Sequence, residues 1–262
     1  MNGKPEKLSE MIRRALQVQA ELGIDEIVVR RRPVVRREAA TPVSNVAAQV
    51  VPVAEAVMLA DSPVGPFQAS LDMDGGPRYE SLTAHCEAIS SCLKCPLGET
   101  RNKFVYGVGN PGAGIMFVGE APGAEEDRLG EPFVGRAGQL LDKILSAMKL
   151  TRNDVYIANI LKCRPPENRD PLPEEMEKCF PHLREQVRII KPKLICCLGR
   201  IAAQALLRTS ASLGTLRNGW HNYEGVPVMV SYHPAALLRF PKYKKDTWDD
   251  MQKLLARYES MK

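Results

Sequence analysis

From about Tyr79 onward, short apolar runs alternate with amphipathic stretches, and this alternation leaves the chain few architectures. The runs fall at about 115–119, 154–160, 194–198 and 227–231. Apolar residues at helical spacing occupy the intervals near 136–149, 173–190, 200–208 and 245–258. A run such as Ile115-Met116-Phe117-Val118 is apolar on both faces of a strand, so each face must be covered. The pattern predicts an α/β fold, with helices on both sides of a largely parallel sheet. A further helix is expected over 81–91, and no repeat of solenoid length is present.

Residues 1–80 have a different texture and read as an N-terminal arm preceding a domain of residues 81–262. Within the arm, Leu8, Met11, Ile12, Ala15, Leu16 and Leu22 follow helical spacing, which predicts one short helix over 5–22 stopped by Gly23. Then come Arg30-Arg31-Arg32-Pro33 and Arg36-Arg37. The stretch from 39 to about 79 is rich in Ala, Val and Pro without durable periodicity, as in a disordered linker. The arginines suit a nucleic-acid backbone or a protein partner, and a solvated tail accounts for them equally well.

The bulk numbers narrow the setting. A net charge of +5 suits an anionic partner without demanding one. Seven cysteines, unevenly spaced, do not form a secreted disulfide framework. The N-terminus has no apolar signal-peptide core. Asn45, Gln49, Pro52 and Glu55 interrupt the most apolar arm segment, so no membrane span is expected. The chain is expected to be cytoplasmic and monomeric.

In an open α/β sheet ligands collect beyond the carboxyl ends of the strands, so what each strand delivers there matters most. The first delivers Gly119-Glu120-Ala121-Pro122-Gly123, a turn that allows close backbone approach, then Glu125, Glu126, Asp127 and Phe133. The second delivers Asn159, then Cys163; the third delivers Gly199; the fourth delivers His233 in a Pro-containing turn. Singly, Glu120 reads as solvated, Asn159 as a backbone cap and His233 as a satisfied structural histidine. An acid, an amide and an imidazole at equivalent strand ends favour a site.

Cys92 and Cys95 form a CxxC pair, and Cys163 and Cys179 follow at wide spacing. Four thiolates suit a tetrahedral zinc or an iron–sulfur cluster, and spacing does not choose between them. The widely spaced second pair argues against a zinc ribbon. Four reduced buried cysteines are the remaining reading. Cys196 and Cys197 lie inside an apolar strand and read as core, and Cys86 as structural.

Together these residues closely resemble the family 4 uracil-DNA glycosylases, the iron–sulfur branch of the uracil-DNA glycosylase superfamily. The matching pieces are GEAPGAEED (119–127), EPFVGRAGQLL (131–141), ANILKCRPPENRDP (158–171), the four cysteines and SYHPAALLR (231–239). The resemblance covers about residues 82–258 and leaves the arm unexplained. It implies a three-layer α/β/α sandwich on a four-stranded parallel sheet. It also implies a 4Fe-4S cluster on Cys92, Cys95, Cys163 and Cys179. The implied reaction is hydrolysis of the N-glycosidic bond of deoxyuridine in single- or double-stranded DNA.

By the same resemblance Phe133 stacks on the flipped uracil, Asn159 reads its Watson–Crick edge and His233 donates to its O2. Leu237 is the expected wedge in the vacated stack. Arg239, with the backbone of Gly119, Ala121 and Gly123, is expected to line the base and flanking phosphates. Where family 1 enzymes carry a water-positioning aspartate, this chain has Ala121. That leaves Glu120 expected at the pocket wall, with Glu126 and then Asp127 as candidates for the water; all three suit helix capping as well. Two rivals stand beside this reading. One is a non-catalytic iron–sulfur DNA-binding accessory protein. The other is a covalent uracil-trapping relative, whose loop carries a nucleophilic histidine. Here the loop after Cys163 has no histidine before His182, so turnover is expected.

Overall fold

The structure is a computed structural model that describes residues 77–262. The expected helix over 5–22, the arginine run and the linker lie outside the described residues.

Helix α1 (Leu82–Ile89) is capped by the Ser81 side chain, which accepts from the Ala84 N–H. The short α2 (Leu97–Thr100) and strand β1 (Val108–Gly109) lead into β2 (Ile115–Gly119), buried along its whole length. Then follow α3 (Ala124–Leu129), α4 (Arg136–Ala147), β3 (Tyr156–Asn159), α5 (Pro173–Ile190) and β4 (Leu194–Leu198). The chain closes with α6 (Arg200–Leu207), α7 (Leu213–Arg217), β5 (His221–Tyr223), β6 (Val226–Ser231), α8 (Pro234–Arg239) and α9 (Lys244–Glu259).

The sheet corrects the four-stranded expectation. Its order is β1-β3-β2-β4-β6-β5, and six strands take part. The inner four are parallel, as the apolar runs require, but β1 and β5 add antiparallel edges. Both edges are too short to stand out by periodicity: two residues, Val108-Gly109, in β1 and three polar ones, His221-Asn222-Tyr223, in β5. Alternate strand residues face two cores. Met116, Val118, Ala158 and Cys197 pack with Leu183 and Val187 of α5 and Ala203 of α6. Ile115, Phe117, Ile157 and Cys196 pack with Leu141 of α4 and Leu254 of α9 on the other side. Cys196 and Cys197 are thus core on opposite faces.

This topology places a crevice. From β2 the chain passes to β3 on one side, whereas β4 and β6 lie on the other. Connections leaving in opposite directions open a gap beyond the carboxyl ends of β2 and β4, where Gly119 and Gly199 end their strands. Among the described residues no helix is long and apolar enough to cross a membrane.

Candidate active site and cysteine centre

Gly119 is the meeting point of the site. A Cβ there would lie 2.3 Å from Asn159 Oδ1 and 2.6 Å from Phe133 Cζ, so two side chains far apart in sequence converge on one glycine. Asn159 is paired with Gly119 across the β2–β3 ladder and is 2% exposed. Its Oδ1 has no hydrogen-bond partner. An orphaned acceptor at that depth costs about 1–3 kcal/mol, so such an atom usually has a use outside the resting fold.

Phe133 is 5% exposed and sits at φ 55°, in the left-handed region unusual for a bulky side chain. Its surroundings impose the conformation. Arg152 donates to the carbonyls of Pro132, at 3.0 Å, and of Phe133. A Cβ on Gly138 would fall 1.7 Å from the Phe133 carbonyl oxygen, so only glycine allows α4 this close. Glu126 ties down the same loop. Its Oε1 accepts from the N–H groups of Val134 and Gly135, both at 2.9 Å, and its Oε2 accepts from Gly123 N–H at 3.1 Å. That carboxylate, a sequence candidate for the water, is engaged by three backbone donors and acts as a strut. Asp127 is likewise buried and takes bonds from Asn102 and Lys103.

His233 completes the group. Its ring centroid lies 5.5 Å from that of Phe133. It caps α8, its Nδ1 accepting from Ala235 N–H at 3.2 Å, which leaves the ring proton on Nε2. Burial, with Arg239 nearby, pushes its pKa down to about 4, so the imidazole is neutral at physiological pH. Gly199, at φ 97°, is where β4 turns beside it; a Cβ there would meet His233 Cβ at 3.0 Å.

Glu120 follows Gly119. Burial, reinforced by the Asp170 carboxylate and opposed by Arg200, raises its pKa to about 7. Arg200 also pairs with Asp170 at 3.2 Å. Neither partner was singled out in the sequence, because Asp170 lies in an irregular loop and Arg200 opens α6; only the fold brings them to Glu120.

Leu237 requires a correction. It is 1% exposed and packs with Leu140, Ile144 and Met251, so it is part of the core rather than a wedge. On a six-residue helix that buries one face, the next residue points outward: Leu238 is 41% exposed, beside the exposed Arg239 and Phe240.

The cysteines form a second centre, around the chain that follows β3. Cys163 and Cys179 are buried with Leu97 and Leu161, and Cys95 packs against them. Cys163 lies within electrostatic reach of both Cys92 and Cys95, and Cys179 of Cys163 and Cys95. All seven cysteines of the chain are free thiols. Among the described residues no three His, Cys, Asp or Glu side chains stand in metal-holding geometry. The donor chemistry nevertheless suits a thiolate-bound group: Arg101 Nη1 donates to Cys163 Sγ at 3.2 Å and Lys162 N–H donates to Cys179 Sγ at 3.4 Å. His182, the first histidine after Cys163, is buried with its Nε2 3.5 Å from Cys92 Sγ.

A model of the uracil DNA glycosylase superfamily matches residues 106–252, more than half of the chain. The chain belongs to that superfamily. The type-4 uracil-DNA glycosylase of Archaeoglobus fulgidus is 46% identical over 183 residues, 67% of this chain and 92% of the relative. That of Thermotoga maritima is 42% identical over 164 residues, 62% of this chain and 85% of its own length. A type-5 uracil-DNA glycosylase from Pyrobaculum aerophilum is more distant, 36% identical over 146 residues, 49% of this chain and 64% of the relative. Of these three relatives, the two named type-4 share more of their sequence with this chain than the one named type-5.

Proposed function

We propose that this chain is a DNA-repair glycosylase that turns uracil out of DNA and hydrolyses its N-glycosidic bond, leaving free uracil and an abasic site. The observation that carries this reading is the unpartnered Oδ1 of Asn159, buried beside the Phe133 ring and the bare Cα of Gly119. A base stacked on Phe133 presents its edge to that amide. Uracil offers N3–H to the Oδ1 and O4 to the amide N–H, whereas cytosine offers the opposite pattern and leaves both groups unpaired.

The neutral His233 donates from Nε2 to the uracil O2 as charge builds on the departing base. A neutral donor there gains most where the base becomes an anion, so its effect falls on the transition state. The side-chain carboxylate of Glu120 takes no hydrogen bond from the described residues and is free to face water, while its backbone carbonyl accepts from Leu161 N–H. Burial raises the carboxylate's proton affinity, with Asp170 adding to the rise and Arg200 opposing it. Glu126 holds the Phe133 loop. Leu238 is the side chain placed to enter the vacated stack, with Arg239 toward the phosphates.

Cys92, Cys95, Cys163 and Cys179 are the residues that would hold a 4Fe-4S cluster. When bound, such a cluster supplies a cross-link between the segment joining α1 to α2, the loop after β3 and α5. The trapping alternative has no support from His182, which lies at the cysteine centre. The test is incubation with a labelled oligonucleotide carrying one uracil, followed by alkali, with a visible absorbance scan of the protein. Cleavage at the uracil position is expected; an intact strand, or an adduct that survives detergent, would sink the proposal.

A further inference from the structure

The segment after α8 carries a surface that the base pocket does not use. Among the described residues Phe240 is the only exposed Phe, Tyr or Trp, with 52% of it open to solvent. A ring left in water gains nothing from burial, yet this one is firmly held. Phe240 caps α8, its N–H donating to the Ala236 carbonyl at 2.8 Å. Its own carbonyl accepts from Tyr243 N–H at 3.2 Å, across the 3₁₀ turn Pro241–Tyr243. Behind it stands a column of rings. Phe240 meets Tyr243 edge to face at 6.2 Å, Tyr243 stacks on Tyr232 at 4.3 Å, and the Arg217 guanidinium lies 4.1 Å over Tyr232. Arg217 is anchored in turn by the buried Asp250 at 2.9 Å. The exposed ring is thus the outer end of a rigid column.

The charge around it has one sign. From Arg239 to Lys245 there are four cations and no carboxylate. Among the described residues Arg239, Lys242 and Lys245 join no ion pair, and Lys242 lies 5.2 Å over the Tyr243 ring. An exposed aromatic framed by cations suits a polyanion that offers flat faces, which is a single nucleic-acid strand. A duplex keeps those faces inside its own stack. The position fits as well. His233 and Phe240 bracket α8, about 10 Å apart at roughly 1.5 Å per residue. That is roughly three stacked nucleotides at about 3.4 Å each.

We propose that Phe240 is a stacking subsite for an unpaired base flanking the uracil, with Lys242 and Lys245 against the phosphates of that strand. The inference rests on the reading of the pocket as one for uracil in DNA, and adds a contact for single strands outside it.

The test measures uracil release by the wild-type chain, Phe240→Ala, Phe240→Leu and Phe240→Trp on a single strand and on the matching duplex. A third substrate is a single strand in which baseless spacers replace the nucleotides next to the uracil. Release from the ordinary single strand by the wild type checks the underlying reading independently of Phe240. On that strand Phe240→Ala and Phe240→Leu are expected to raise KM about tenfold with kcat unchanged, the loss of one aromatic–base stack. Phe240→Trp keeps a ring face and should hold the wild-type KM. The duplex should show a smaller change. On the spacer strand wild type and Phe240→Ala should coincide, since the partner of the ring is gone. Changing Lys242 and Lys245 together to Gln should flatten the salt dependence of single-strand affinity, by about 0.7 in log–log slope per lost phosphate contact. A wild-type KM in Phe240→Ala, an equal loss on the spacer strand, a Leu that serves as well as Phe, or an unchanged salt slope would overturn the proposal. The first of these is also the result if the patch serves a protein partner or a second copy of the chain.

Discussion

Asn159 Oδ1 occupies the place a Gly119 side chain would take, 2.3 Å from the position of its Cβ. The φ of Gly119 is not positive, so its backbone does not require glycine; the space does. Gly119→Ala is therefore expected to push the amide and the Phe133 ring off position. Activity on a uracil oligonucleotide should fall by about 100-fold or more, as for a misplacement on the ångström scale. Steady-state kinetics check it, with a far-ultraviolet spectrum to confirm the fold.

Asn159 separates function from stability. Its Oδ1 makes no bond in the resting protein, so Asn159→Leu, of similar volume, should leave the thermal midpoint unchanged or raised. The same variant should lose uracil excision almost entirely. A large drop in the midpoint would mean that the amide serves the fold.

Glu120 gives a pH signature. With a carboxyl raised to about 7, the ionised fraction grows as pH rises through neutrality, so kcat/KM should climb there and level off above. Asp170→Asn removes the repulsive neighbour and should move that climb to lower pH; Glu120→Gln should abolish it. Stability runs the other way. A carboxyl whose folded pKa exceeds its unfolded value of 4.5 favours the fold below that value and loses this contribution as pH rises toward 7. Thermal scans should show Glu120→Gln gaining on the wild type from pH 4.5 to 7. His233, neutral in the fold down to about 4 but with an unfolded value of 6.5, adds stability as pH rises through the same window in both proteins, so the comparison cancels it.

Leu237 and Leu238 are adjacent and should respond oppositely. Leu237→Ala empties a core position and should cost about 2–5 kcal/mol in denaturant unfolding. Leu238→Ala should leave the unfolding midpoint in place while lowering excision from double-stranded DNA more than from single strands. Only a duplex needs a group to fill the gap the uracil leaves.

Most of the fold was legible in the sequence because burial on both faces forces long apolar runs, and the inner strands and the helices between them follow those runs. The edge strands were not, since backbone pairing rather than side-chain pattern defines β1 and β5. The residues at the strand ends could be found because each follows an apolar run directly. Their convergence could not, since it depends on Gly119 letting Asn159 and Phe133 touch. Leu237 misled because the motif gives position along the chain, while the turn of α8 decides which side chain faces out.

The left-handed backbone at Phe133 has a consequence for how the protein inspects DNA. Arg152, Glu126 and Gly138 fix the aromatic ring before any nucleotide arrives, so each encounter begins against a rigid surface. Under the proposed function, ordinary bases would then be rejected without any loop having to close or reopen.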